Sequence, residues 1–166
     1  ISSALVAAMS RSACSTRACR SASMVAYYLR NTVSENGDVT RGVCEKDSSN
    51  LLTKVTETYG IKPCADGTIR SFAEDPAGVI LPADALVSMN FWGFMPSVFD
   101  EMERYFEDFL RRDAGENVKA ECLLPNMVGK LLKEGRLSVS VLQSKDRWFG
   151  MTYHEDRARV AAELLE

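Results

Sequence analysis

The sequence predicts an α/β protein in which a mixed sheet carries helices on its faces. Strand-like runs rich in β-branched and aromatic residues fill the first half, and amphipathic helical patterns dominate the second. The 166 residues fit one domain, and 46% hydrophobic with 26% charged residues is typical of a globular protein. No apolar run approaches the roughly 18 residues needed to cross a bilayer, so we expect no membrane partner.

Strands are predicted where β-branched and aromatic residues lie between polar turns: 24–33, 39–45, 51–58, Leu86–Phe94 and 137–142. Between Gly60 and Asp84 glycine and proline recur, which predicts a long excursion with short hairpin pieces. Residues 148–152 are a further candidate for pairing with a neighbouring strand.

Apolar residues at helical spacing predict helices over 97–112 and 121–133. The first helix places six apolar side chains on one stripe: Val98, Met102, Tyr105, Phe106, Phe109 and Leu110. Thr152 and Glu155 form a capping box, which predicts a last helix after them. That helix is expected to bury Val160 and Leu164.

The first 23 residues differ from the rest of the chain. They are rich in Ser and Ala, and residues 1–34 hold four arginines and no acid. This composition is typical of an organelle transit peptide, but it also suits a poorly formed helix that is exposed because its natural neighbour is absent. Both interpretations stay open. We therefore divide the sequence into an atypical Ser/Ala/Arg-rich segment, 1–23, and a domain, 24–166.

Charge, cysteines and motifs exclude several classes of function. A net charge of −3, without a basic cluster among aromatics, argues against a nucleic-acid surface. Five cysteines without a CxxC pair argue against a disulfide framework or a zinc site, and predict reduced thiols in a cytoplasmic protein. No GxSxG, GxGxxG or Walker motif occurs. The one histidine, His154, falls in a helix start and is expected to be exposed.

The most unusual segment is Leu86–Phe94, with the sequence LVSMNFWGF. It is apolar enough for a core strand, yet it carries Asn90 in its middle and Gly93 near its end. A buried amide without a partner costs roughly 1–3 kcal/mol, and glycine in a strand often marks the close approach of a ligand. We therefore expect the Asn90 amide to be buried and to meet either a ligand or a neighbouring loop.

Four segments resemble the second half of the sugar-phosphate nucleotidyltransferases, in the same order and spacing. They are GDVTRGVCEKD, LTKVTET, LVSMNFWGF before a helix, and AECLLPNMVGKLLKEGRLSVSVLQSKDRWFGMTYHED, which resembles the end of one bacterial branch. Glucose-1-phosphate and N-acetylglucosamine-1-phosphate nucleotidyltransferases are members of this family. Such enzymes join a sugar 1-phosphate to a nucleoside triphosphate and release pyrophosphate. From about Met24 onward, the resemblance implies the C-terminal, sugar-binding half of a Rossmann-like nucleotidyltransferase domain.

The resemblance implies roles for three residues. Gly42 would let the backbone approach the sugar, and Glu57 would accept hydrogen bonds from sugar hydroxyls. Asn90 would help an aspartate to hold Mg²⁺. The alternatives are a bulge at Gly42, an exposed strand charge at Glu57 and a strand-to-loop clamp at Asn90. After the acid the family often carries a Lys or Arg that meets the sugar phosphate, and here that residue is Thr58.

The resemblance leaves two functions open. The family's Gly-rich triphosphate loop and its metal-anchoring Asp are not found in this sequence. The chain is therefore expected to be a fragment or a separately encoded half of a nucleotidyltransferase, which binds a sugar 1-phosphate and, with its other half, a nucleoside triphosphate and Mg²⁺. The alternative is a non-catalytic module that binds a sugar phosphate or a protein partner, including a second copy of itself. Whether the lone chain is an enzyme stays open.

Overall fold

The computed structural model describes residues 20–112, 117, 119–150, 154 and 156–163. These residues form seven strands: β1 Arg20–Tyr28, β2 Val39–Lys46, β3 Leu52–Pro63, β4 Ile69–Ser71, β5 Val79–Leu81, β6 Leu86–Phe94 and β7 Leu137–Ser144. They also form three α-helices: α1 Phe99–Arg112, α2 Leu124–Lys133 and α3 Asp156–Glu163. None of the described helices is both long enough and apolar enough to span a membrane.

All seven strands belong to one sheet, in the order β5-β4-β3-β2-β6-β1-β7. The short strand β4 pairs antiparallel with both β3 and β5, and Ile69 lies opposite Pro63 on one side and Leu81 on the other. The predicted fold class, α/β with a mixed sheet, is confirmed. Strand β2 lies between β3 and β6, so the three strands that carry the candidate site residues are consecutive in the sheet.

Strand β1 is displaced from the predicted position. It begins at Arg20 rather than 24 and ends at Tyr28 rather than 33. The chain turns into a short 3₁₀ helix at Leu29–Asn31, where the N–H groups of Leu29 and Arg30 donate to the carbonyls of Ala85 and Ala83, at 2.8 and 3.0 Å. The end of β1 is therefore set by hydrogen bonds to residues more than 50 positions away in the sequence. The hydrophobic pattern of the strand itself carries no information about those bonds.

Strand β3 runs further than predicted, because it continues through Gly60 to Pro63. Gly60 adopts a φ of +61°, and its carbonyl accepts a hydrogen bond from the Phe72 N–H at 3.0 Å. Glycine adopts this left-handed conformation without strain, so the strand continues through Gly60 instead of ending there. The short strands β4 and β5 confirm the hairpin pieces predicted between Gly60 and Asp84.

The two long helices confirm the predicted ones, with shifted starts. Helix α1 follows a 3₁₀ turn at Pro96–Val98, and α2 begins at Leu124 rather than 121. Pro125 lies in the first turn of α2, a place that suits proline because the N–H groups there have no partner within the helix.

The predictions for the end of the chain are partly outside the described residues. Val160 in α3 is buried and His154 is exposed, both as predicted. Residues 148–150 belong to no strand, while 151 and 152 lie outside the described part of the chain. So do the capping-box residues Thr152 and Glu155, and Leu164.

The chain divides into two compact units. The first holds the described residues up to Val25 together with Cys44–Thr56 and Asn90–Leu142, and its buried residues include Met24, Val98, Val128 and Val139. The second holds Ala26–Val43, Glu57–Met89 and the described residues from Gln143 onward, and its core is formed by Leu29, Val39, Ile61, Ile69 and Val87. Of the atypical segment 1–23, residues 20–23 belong to β1, and the others lie outside the described residues.

Candidate functional site

Glu57 lies on β3, in the second unit, and is half-buried. One oxygen of its carboxylate, Oε2, is buried and receives no hydrogen bond from the described residues. Burial raises the pKa of Glu57, and the nearby positive charge of Arg41 partly opposes that shift. Buried polar atoms in native proteins nearly always have partners, so this oxygen is a candidate acceptor for a ligand.

Arg41 lies on the neighbouring strand β2, in the same unit, and is 9% exposed. Its Nη1 donates to the Thr40 carbonyl at 2.8 Å and its Nη2 donates to the Thr32 carbonyl. The guanidinium carbon lies 5.3 Å from the centre of a Trp148 ring, a cation–π contact. Burial lowers the pKa of Arg41, which Glu57 partly offsets, but an arginine keeps its charge in proteins. Arg41 is therefore a cation held in a fixed position close to Glu57.

Neither Arg41 nor Trp148 was predicted from the sequence. One signal was present, because a long cationic side chain stood between the apolar positions Val39 and Val43 of a predicted strand. The contact with Trp148 had no sequence signal, since the two residues are more than 100 positions apart. Like Glu57 Oε2, the Nε atom of Arg41 is buried and has no hydrogen-bond partner among the described residues.

Gly42 is buried on β2, directly after Arg41, in the unit that also holds Glu57. Side chains alternate between the two faces of a sheet, so position 42 faces the side of the sheet opposite to the Arg41 side chain. The structure therefore brings Gly42, Arg41 and Glu57 onto two neighbouring strands. The close approach of a sugar to Gly42 stays a prediction.

Asn90 lies on β6 and is exposed, so the expectation that its amide is buried is wrong. Its φ is +56°, the left-handed region that asparagine tolerates better than most residues do. Trp92 Nε1 donates to its side-chain oxygen at 3.4 Å. The physical reason for an asparagine at this point of the strand is therefore the backbone conformation. Asn90 belongs to the first unit, whereas Gly42 and Glu57 belong to the second.

The described residues do not fit a complete Mg²⁺ site. They contain no group of three His, Cys, Asp or Glu side chains that could hold a metal ion. Proteins usually bind Mg²⁺ through one or two carboxylates together with substrate phosphates and water, and a single exposed amide supplies at most one such oxygen. The metal-binding role of Asn90 stays a prediction, and we derive no reaction step through the metal.

We expect Asn90→Val to lower the free energy of unfolding by about 1–2 kcal/mol, because a β-branched residue is strained at positive φ. Asn90→Gly should leave the stability nearly unchanged, because glycine adopts this conformation freely. Urea denaturation measures both, with Thr53→Val on the exposed part of β3 as the control for introducing valine into a strand. A valine at position 90 that costs no more than the glycine would contradict the conformational explanation.

We expect Glu57→Gln to increase the stability at pH 7, because folding raises the pKa of this carboxyl group and so favours its neutral form. The stability of the native chain relative to this variant should fall as the pH rises from about 4.3, the ordinary glutamate value, through the raised pKa of the folded state. Below that window the two proteins should converge. Urea unfolding between pH 4 and 8 measures this, with Glu45→Gln on the exposed end of β2 as control; a gain that grows on acidification would have the wrong sign.

A cleft in the first unit holds none of the predicted site residues. It is an open cleft of about 300 Å³ whose lining includes Tyr105, Phe109 and Arg112 of α1 and Asn126 of α2. The lining residues belong to α1, to α2 or to the segment between them. The cleft therefore does not include Gly42, Glu57 or Asn90, which lie on strands.

Comparisons with known proteins give a likeness to solved structures. No protein-family model matches the chain, and no curated protein matches it significantly. Among solved structures, the chain is similar to a CTP:phosphocholine cytidylyltransferase from Streptococcus pneumoniae, with 14% sequence identity and a TM-score of 0.49. The similarity covers 87% of this chain and 48% of that one, so the chain spans about half the length of that structure.

Proposed function

We propose that the chain is the sugar-1-phosphate-binding portion of a nucleotidyltransferase that makes a nucleotide-sugar from a nucleoside triphosphate and a sugar 1-phosphate. The observation that carries this proposal is the buried Oε2 of Glu57, an acceptor without a partner among the described residues. The resemblance of four sequence segments to this family supports it independently.

In this proposal a sugar hydroxyl donates a hydrogen bond to Glu57 Oε2. An ionised carboxylate only accepts hydrogen bonds, so it selects hydroxyl groups over carbonyls. A hydrogen bond to a charged acceptor contributes roughly 1.5–3 kcal/mol, about twice the contribution of a neutral pair. Because the pKa of Glu57 is raised by burial, a donor that stabilises the ionised form also relieves part of the cost of that burial.

Arg41 has a supporting role in this proposal. Two of its nitrogens already donate to the carbonyls of Thr40 and Thr32, so the guanidinium is held in place by the protein. Its charge favours the ionised form of Glu57, the form that accepts hydrogen bonds from the sugar. Arg41 is therefore a positioning residue for the carboxylate.

The phosphate group is expected to contribute less affinity than the sugar hydroxyls. Thr58 stands where the family often has a cation, and a hydroxyl forms a weaker bond to phosphate than an ammonium or guanidinium group does. In the complete reaction an oxygen of the sugar phosphate attacks the α-phosphorus of the nucleoside triphosphate, and pyrophosphate leaves. The share of this chain in the reaction is to hold the sugar in a fixed orientation for that attack.

Titration calorimetry of the chain with glucose 1-phosphate and N-acetylglucosamine 1-phosphate tests the proposal. We expect saturable binding of at least one of them, and no comparable heat with inorganic phosphate. A parallel assay follows pyrophosphate release with nucleoside triphosphates and Mg²⁺. Binding without turnover supports a chain that needs its other half or serves as a binding module; the absence of binding to every sugar phosphate tested contradicts the proposal.

A further inference from the structure

Two buried atoms of the candidate site have opposite hydrogen-bonding character. Arg41 Nε on β2 and Glu57 Oε2 on β3 are both buried, and neither has a hydrogen-bond partner among the described residues. The N–H group of a guanidinium only donates, whereas an oxygen of an ionised carboxylate only accepts. Because buried polar atoms of native proteins nearly always have partners, the two atoms together describe a ligand group that both donates and accepts.

The two side chains lie close to each other. Their strands are neighbours in the sheet, and both residues belong to the second unit. Burial raises the pKa of Glu57, and the positive charge of Arg41 partly opposes that shift. Such an electrostatic interaction falls with distance, so the unpaired donor and the unpaired acceptor lie within reach of one small ligand.

The guanidinium of Arg41 is held in place before a ligand arrives. Its Nη1 and Nη2 donate to the carbonyls of Thr40 and Thr32, and its central carbon lies 5.3 Å from the centre of a Trp148 ring. The residue is 9% exposed. These contacts fix the direction of the Nε–H bond, which lowers the entropy that is lost when a ligand binds to it.

A hydroxyl is the group that satisfies both atoms. It accepts a hydrogen bond from Arg41 Nε and donates one to Glu57 Oε2. An ammonium group only donates and is repelled by the arginine, whereas a carbonyl or phosphate oxygen only accepts and is repelled by the carboxylate. The pair therefore selects a hydroxyl over the other polar groups of a small ligand.

We propose that a single hydroxyl of the ligand bridges Arg41 Nε and Glu57 Oε2. Arg41 is then a residue that contacts the ligand, in addition to its support of the carboxylate. This inference rests on the proposed function, because it takes the ligand to be a sugar 1-phosphate. It goes further in assigning both hydrogen bonds to one hydroxyl, so that removal of that hydroxyl from the sugar breaks two contacts at once.

Titration calorimetry with deoxy analogues tests the bridge. The probes are glucose 1-phosphate or N-acetylglucosamine 1-phosphate, whichever binds more tightly, and its analogues that each lack one hydroxyl. We expect one analogue to bind the native chain at least about tenfold more weakly than the parent sugar does. In Glu57→Ala and in Arg41→Lys, which keeps the charge but not the Nε–H donor, the loss for this analogue should shrink by at least about threefold, because the hydroxyl has one partner fewer.

Arg30→Lys is the matched control, because Arg30 is an exposed arginine of the same unit, and it should leave the loss for this analogue unchanged. Coupling of the hydroxyl to Glu57 without coupling to Arg41 would overturn the bridge and leave the proposed function standing. Analogues that all bind as tightly as the parent sugar would mean that water serves the two atoms, and would also overturn it. The absence of binding to every sugar 1-phosphate would contradict the bridge and the proposed function together.

Nuclear magnetic resonance of the native chain gives a second readout, which does not depend on the folding of any variant. The Nε–H resonance of Arg41 is assigned through the carbons of its side chain. We expect this resonance to shift on saturation with the parent sugar 1-phosphate, and to shift much less with the analogue that lacks the bridging hydroxyl. A resonance that does not move when calorimetry shows the parent sugar to be bound would overturn the proposal.

Discussion

Glu101→Ala is expected to lower the free energy of unfolding by about 2–3 kcal/mol. The Glu101 side chain is 3% exposed, its Oε2 accepts a hydrogen bond from Arg136 Nη2, and its Oε1 lies 3.5 Å from Arg104. Removing one partner of a buried ion pair leaves the other charge uncompensated, at a cost of roughly 3–5 kcal/mol when both are fully buried. Arg136 is 40% exposed, so water stabilises part of its charge and the loss is smaller.

Chemical denaturation measures this loss, with Glu103→Ala as the matched control, because Glu103 is an exposed acid on the same helix. A double-mutant cycle with Arg136→Ala isolates the energy of the pair from the effects of each truncation. If Glu101→Ala costs no more than Glu103→Ala, the buried carboxylate does not anchor α1. The burial of Glu101 on a helix that exposes Phe99, Phe106 and Leu110 would then lack its explanation.

Much of the fold could be predicted from the sequence, because apolar periodicity reports which residues share a buried face. Strands β2 and β6 and helix α1 lie close to their predicted ranges. The predictions failed where a boundary depends on distant residues, as at Leu29, or where glycine lets a strand continue, as at Gly60. Periodicity also predicted helix α1, but it did not tell that Phe106 and Leu110 of the predicted apolar stripe are exposed while Val98 is buried.

The candidate site could be predicted only in part. Glu57 and Gly42 were identified from a resemblance, and the structure places both in one unit, on neighbouring strands. Asn90 was interpreted as a buried amide because its neighbours are apolar, but asparagine also tolerates positive φ, and that property explains its position. Arg41 was missed because burial of an arginine depends on partners from other segments, here Thr32 and Trp148.

Glu57→Ala is expected to weaken the binding of a sugar 1-phosphate by about ten- to a hundredfold, if the carboxylate accepts a hydroxyl hydrogen bond worth roughly 1.5–3 kcal/mol. The variant removes both oxygens of the acceptor while leaving Arg41 held by the Thr32 and Thr40 carbonyls. Glu57→Gln keeps one acceptor oxygen but loses the charge. Its affinity for the sugar 1-phosphate should therefore lie between those of the native chain and of Glu57→Ala.

The most direct measurement is a calorimetric titration of the same sugar 1-phosphate into the native chain, Glu57→Ala and Glu45→Ala. Glu45 is an exposed acid that pairs only with Lys54 among the described contacts, so its removal controls for the loss of one negative charge. The account predicts that affinity drops in Glu57→Ala and is unchanged in Glu45→Ala, with both variants folded by thermal melting. Equal affinity in all three proteins would show that the carboxylate on β3 does not meet the sugar.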